Sequence, residues 1–298
     1  MMGLAWLRGA RGAATLVGDR AELCLPGAIA AFAFLGWLPL IVAVAPLPRT
    51  SDLVFLGAGL VSSSIFPLNV LLIAAATSVV LLAACGAAAF GEAVVQRGLA
   101  DEPRSDPLRE ASASIYAVVL VAALPVGFAI VALAIGLAGI APDQLTTPDI
   151  SGSLAERVLA DLAPYLVAVV AVLLLGQALG AAATRHVTGE GRLRLGAGLR
   201  AAMADILRRP ARRVGIALTI AVADLLALTL TVFVMRTLWV PIGRDLAAGR
   251  LTSPTTTVLL VGFVAIWLGS VLAWGALHAW GTAWWSLELA PTDEARRA

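Results

Sequence analysis

The chain has 298 residues, 60% hydrophobic and only 13% charged, with a mean hydropathy of +0.93 and a formal net charge of +2. A soluble domain is about a quarter charged, so too few polar side chains remain here to cover a water-facing surface, and lipid is the natural solvent. This excludes a disordered chain, a collagen, a disulfide scaffold and a free nucleic-acid binder, and so small a net charge supplies no long-range field.

Crossing a hydrocarbon core of about 30 Å takes about 20 apolar residues, and six runs qualify: 23–45, 67–90, 114–140, 164–183, 214–239 and 254–280. The expected fold is all-α, a single integral membrane domain over 1–298 built as a polytopic bundle of six transmembrane helices. An arm with Arg8, Arg11 and Arg20 precedes the first run. That run is too long for a signal-peptide core. Its plausible cleavage site, Ala43-Val44-Ala45, is followed by Pro46, so it reads as a retained helix. The apolar stretch 54–61 is too short to cross and is placed at the outer interface. The connection 92–110 balances Arg97, Arg104 and Arg109 against Glu92, Asp101, Glu102, Asp106 and Glu110 and is broken by Pro103 and Pro107, so it reads as a solvated loop. Ser153-Leu154-Ala155-Glu156 matches a capping box for a short helix leading into the fourth span. Trp239 near one end of the fifth span, and Trp280, Trp284 and Trp285 at the end of the sixth, fit aromatic belts at the two interfaces. An aromatic cage for a ligand is the alternative reading of the last three.

Sixteen of the 21 arginines fall in the N-terminal arm, the second and fourth connections and the tail; five fall on the other side. The positive-inside rule then places both termini in the cytoplasm. The fourth connection dominates, with Arg185, Arg192, Arg194, Arg200, Arg208, Arg209, Arg212 and Arg213. Within it, Leu195, Leu199, Met203 and Ile206 share one helical face. A basic helix with such a stripe lies in the headgroup layer, its arginines on anionic lipid phosphates; packing of the stripe under the bundle is the simpler, compatible reading. Pro210 is expected to kink or end this helix before the fifth span.

The even-numbered spans begin near prolines, Pro67, Pro164 and Pro254, which suit a first helical turn, with Ser253 as a candidate N-cap. They end in small-residue blocks: Gly86-Ala87-Ala88-Ala89, Gly180-Ala181-Ala182-Ala183 and Gly275-Ala276. This pattern raises the expectation of three αα-hairpin repeats with cytoplasmic amphipathic helices; chance likeness between Ala-rich helices is the alternative. Helices in lipid associate through close backbone approach, and Gly176-Gln177-Ala178-Leu179-Gly180 offers such a seam.

Intramembrane polar residues are functional candidates. Counted from Arg213 at 1.5 Å per residue, Asp224 lies about 16 Å deep, with Ser270 expected as its hydrogen-bond partner. Gln177 and Asn69 are neutral. His278 is placed near the cytoplasmic end of the sixth span, too far from Asp224 for direct pairing. Cys24 and Cys85 lie in apolar runs and read as small hydrophobes. No nucleotide-binding loop, HExxH, GxSxG or GxGxxG pattern occurs, and no acid/base or metal constellation for hydrolysis is visible, so no catalytic residue, metal or cofactor is assigned and the chain is read as not an enzyme.

The run Gly191-Arg192-Leu193-Arg194-Leu195-Gly196-Ala197-Gly198-Leu199-Arg200, leading through Arg208-Arg209-Pro210 into a new span, resembles bacterial six-helix proteins related to the membrane domain of glycerophosphodiester phosphodiesterases. The resemblance covers much of the chain by layout and about twenty residues by motif. The catalytic soluble domain of that enzyme family has no counterpart in this sequence, so the resemblance implies a membrane scaffold. The expected function is a scaffold or accessory subunit in a bacterial cytoplasmic membrane. The alternative is a permease subunit of a transporter, with Asp224 lining a path and the fourth connection docking a cytoplasmic ATPase. The lipid bilayer, its anionic headgroups and other membrane subunits are the expected partners; nucleic acid is not.

Overall fold

The structure, a computed structural model, describes residues 5–45, 59, 62–100, 154–189, 195–250 and 253–289, and among them every regular element is helical. In chain order these are α1 (Ala5–Asp19), a 3-10 turn (Ala21–Leu23), α2 (Cys24–Ala31), a π segment (Phe32–Gly36), α3 (Leu38–Val44), α4 (Leu68–Ala100), α5 (Leu154–Gly189), α6 (Leu195–Arg208), α7 (Pro210–Ala247) and α8 (Pro254–Leu289). The third expected span, 114–140, lies outside the described residues, as do 54–58 and 101–110. Among the described residues three helices are long and apolar enough to cross a membrane: Ala160–His186 within α5, α7 and α8. From Leu68 on, the expected second span falls within α4, a helix of 33 residues.

Several boundaries differ from the sequence reading. The first span is broken rather than continuous. Pro39 fits the first turn of α3 but has no N–H to give the preceding turn, and the ladder widens to π form just before it. At the break the Gly36 carbonyl accepts a hydrogen bond from Trp267 Nε1 at 3.0 Å. Pro164 does not open a helix; it lies inside α5, which starts at Leu154. That start directly follows Ser153, so the capping-box position begins one long helix instead of a short separate one. Residues 92–100, expected in a loop, continue α4, and Ala93 and Val95 are buried. The chain turns sharply at Arg208-Arg209-Pro210, where α6 ends and Pro210 opens α7, as the proline requires.

Helices α7 and α8 form an antiparallel hairpin. Thr256 donates to Asp245 Oδ2 at 2.5 Å near the turn, Trp239 packs on Phe263 with ring centroids 5.3 Å apart, and Gly281 faces Ile220. A small core of Ala43, Met235, Ile242 and Phe263 ties α3 to the turn end of this hairpin. The main core is at the opposite end, where Ala13, Val17, Leu23, Val95, Ala178, Ile206, Ile216, Ile220, Ala283, Trp284 and Trp285 meet. It gathers α1, the C-terminal ends of α4, α5 and α8, the start of α7, and α6.

Two features of that core correct the sequence reading. Trp284 is fully buried and Trp285 nearly so; the ring of Trp280 lies tilted against Trp284, centroids 5.2 Å apart, and its Nε1 donates to the Ala10 carbonyl at 2.9 Å. These rings are protein core, not an interfacial belt, because the amphipathic helix α1 lies over them with Ala10, Ala13 and Val17 inward and Arg8 and Arg11 exposed. The α6 stripe is also rotated: Gly198, Ala202 and Ile206 are buried and Leu199 partly so, while Met203 faces outward.

The small-residue blocks do bring backbones together. A Cβ on Gly275 would lie 2.6 Å from Ala28 N, and one on Gly27 would strike the Gly275 carbonyl, so α2 and α8 touch main chain to main chain. Ala88 and Ala89 are buried on α4, and Ala182 and Ala183 of α5 pack on Ala202 of α6.

Candidate functional site

One turn beyond two of these blocks sits a cluster of polar groups. Glu92 follows Gly91 on α4, and His278 follows Gly275 on α8. Close packing of small residues brings these helices near enough for the two side chains to meet. Glu92 Oε2 is 2.6 Å from His278 Nε2. Thr282, one turn further along α8, donates to both Glu92 oxygens at 2.9 and 3.1 Å. Gln96, one turn along α4, donates to Glu92 Oε1 at 2.9 Å. The carboxylate thus accepts from three side chains on two helices, which offsets much of the cost of drawing it out of water.

Asp224 approaches from α7. The hairpin contacts at Thr256–Asp245, Phe263–Trp239 and Gly281–Ile220 set a register that brings Asp224 level with residues 277 and 278. It is half-buried. The expected Asp224–Ser270 bond is not formed: Ser270 donates to its own helix, at the Trp267 carbonyl, 2.7 Å away, and Asp224 makes no hydrogen bond among the described residues. The reason is helix length. Helix α7 continues past 239 to Ala247, so Asp224 is about 35 Å from its turn end, whereas Ser270 is about 24 Å from the turn end of α8. His278, about 36 Å along α8, is level with Asp224 instead. Gln177 belongs to α5, but its side chain lies outside the described residues.

A second charged group closes the same end. Glu288, almost fully buried, pairs with Arg212, whose Nη2 donates to Oε2 at 2.8 Å. Arg213 Nη1 is 3.6 Å from Glu288 Oε1, Nη2 donates to the Glu288 carbonyl at 3.4 Å, and the guanidinium lies 5.9 Å from the Trp285 ring centroid. Arg213 is only 6% exposed, and Arg212, expected like it at the headgroups, keeps about a third of its side chain exposed while pairing with the same carboxylate of α8. Arg200, Arg208 and Arg209 are exposed; Arg192 and Arg194 lie outside the described residues. His186 of α5 meets Asp205 of α6 at 2.9 Å.

Chemically, the Glu92–His278–Thr282 arrangement is not a nucleophile relay. In such a relay the hydroxyl bonds to the imidazole and the acid orients the imidazole from the other side; here the Thr282 hydroxyl bonds to the acid. Among the described residues no group of three His, Cys, Asp or Glu side chains could hold a metal ion. Comparison of the chain with protein-family models, curated proteins and solved structures finds no match.

Sequence reasoning did not pick out Glu92, Gln96, Thr282, Asp205 or Glu288. A usable signal existed for the first pair: Glu92 and His278 each stand one turn or less beyond a glycine in a small-residue segment, where neighbouring helices are closest.

Proposed function

We propose that this chain is a non-catalytic integral membrane protein of a bacterial cytoplasmic membrane, with six transmembrane helices and both termini inside, serving as a scaffold or accessory subunit of a membrane complex. The observation that carries the reading is how its polar groups are used. Glu92 is bonded to His278, Thr282 and Gln96, Glu288 to Arg212 and Arg213, and Asp205 to His186. Each pair or cluster joins two helices, the arrangement expected of side chains that fix a bundle. The orientation is supported by the gathering of α1, the ends of α4 and α5, α6 and the start of α7, with their arginines, at one end of the bundle. Two inward-running helices, α4 and α5, that both finish at that end need an outward crossing between them, which the apolar run 114–140 can supply.

A permease subunit is the second reading. It is favoured by the broken first span, since interrupted helices line transport sites, and by the approach of Asp224 to the His278–Glu92 pair. Affinity purification from native membranes in mild detergent, combined with reconstitution into vesicles holding a pH indicator, tests both. The scaffold reading predicts a stoichiometric membrane partner and no proton uptake above empty vesicles. Uptake that Asp224→Asn abolishes, while leaving the protein folded, would overturn it in favour of the permease.

A further inference from the structure

Helix α6 has two apolar faces, and only one is covered by protein. Gly198, Leu199, Ala202 and Ile206 turn toward α5. Met203 and Leu207, one turn apart on another side, are 53% and 72% exposed. The exposed apolar positions do not stop at the chain turn. Ala211, Val214, Leu218 and Val222 follow at spacings of three and four along α7, all exposed. Helix α7 is one of the helices long and apolar enough to cross a membrane, so an outward stripe of this kind is its lipid-facing side. The same stripe continues in sequence onto α6.

The charges beside it have the sign a bilayer surface requires. Arg200 stands three residues before Met203, and Arg208 and Arg209 follow Leu207; all three are exposed. Arg200 bonds locally to the Gly196 carbonyl through Nε at 3.1 Å and is exposed. Arg212 and Arg213, by contrast, are used internally by Glu288. An apolar strip bordered by guanidinium groups suits the boundary between acyl chains and headgroups, where Arg binds phosphate through parallel N–H donors. A soluble protein partner would leave unexplained why the strip runs on from a transmembrane helix.

We infer that Met203 and Leu207 seat α6 on the inner surface of the bilayer, with Arg200, Arg208 and Arg209 on the phosphates of anionic phospholipids. The inference rests on the membrane placement proposed above and shifts the lipid contact to the edge of the expected stripe, keeping Met203, adding Leu207 and leaving Leu199 and Ile206 to the protein side. It is tested on the full chain with Cys24→Ala and Cys85→Ala, spin-labelled at Leu207→Cys or, as a reference on α7, at Val222→Cys, in bilayer nanodiscs. Collisions with oxygen, which partitions into lipid, are compared with collisions with a water-soluble nickel chelate. In phosphatidylglycerol discs both labels should favour oxygen. In phosphatidylcholine discs, and in phosphatidylglycerol discs with Arg200→Gln, Arg208→Gln and Arg209→Gln combined, the label at 207 should lose that preference while the label at 222 keeps it. If the triple variant does not fold, the comparison of the two lipids decides. A label at 207 that favours the nickel chelate in phosphatidylglycerol, one shielded from both reagents as by a protein partner, or one indifferent to lipid charge would overturn the inference. A label at 222 in water would overturn the membrane placement as well, which separates the two failures.

Discussion

The two halves of α8 have opposite surroundings. From Pro254 to about residue 272 the helix shows its apolar side chains to the outside: Val258, Val261, Val264, Leu268 and Leu272 are all exposed. From Trp274 to Trp285 it is enclosed, with Gly275, Ala279, Gly281, Thr282, Ala283 and both terminal tryptophans buried. The first half is lined by lipid in the proposed placement, and lipid offers no hydrophobic drive for helix association. The second half is packed by α1, α2, α4 and α7 as the interior of a soluble protein is, with small residues, a tilted indole pair and two ion-paired or hydrogen-bonded carboxylates. Hydropathy measures what a residue tolerates, not what touches it. In sequence the second half is marked by Gly, Ala and Trp together with His278, Thr282 and Glu288, where the first half is rich in Val, Leu and Ile.

Substitutions in the two halves should therefore differ widely. The largest effect is expected from Trp284→Ala, which opens a cavity in the main core and should cost about 4 kcal/mol, read as a fall in the denaturation midpoint in detergent; a change within error would mean that the indole is not enclosed. Glu288→Gln leaves the buried Arg213 without its ion-pair partner and should cost about 3 kcal/mol, much of it recovered when Arg213→Met is added. Additive losses in that double variant would argue against the pair. Gly275→Ala forces α2 from α8 and should cost about 2 kcal/mol, whereas Gly262→Ala, with open space at its Cβ position, should be tolerated. Val261→Ala, in the outward-facing half, should shift stability by about 0.5 kcal/mol or less. Equal losses at Val261 and Trp284 would remove the distinction between the halves.

The same distinction sets how much was legible beforehand. Spans five and six could be placed because runs of Val, Leu and Ile without charge have few other uses, and Pro210 and Pro254 mark where α7 and α8 begin. Their far ends could not, since α8 continues nine residues past 280 through Gly, Thr and Trp, which read equally well as an interface. Helix α1 was missed because its buried side is largely alanine, a weak hydrophobic signal, although Ala10, Ala13 and Val17 recur at helical spacing. Glu92 was taken for loop because the charges and prolines that follow it dominate the local composition; α4 nonetheless runs on to Ala100, and two of the three partners that satisfy Glu92 are 186 and 190 residues away. Asp224 was recognised as the acid to watch, but its depth depended on helix ends that composition leaves undefined. Arg212 and Arg213 looked like their basic neighbours because nothing near them in sequence announces Glu288.

The most direct test of this division is photolabelling of the protein in native-like bilayers with a lipid carrying a diazirine in its acyl chain, followed by mapping of the labelled residues along α8. The account predicts labelling at Val258, Val261, Val264, Leu268 and Leu272 and none from Ala279 to Trp285. Labelling concentrated on Trp280, Trp284 and Trp285 would contradict it, returning those rings to the membrane interface and removing the packed core on which the Glu92 and Glu288 clusters depend.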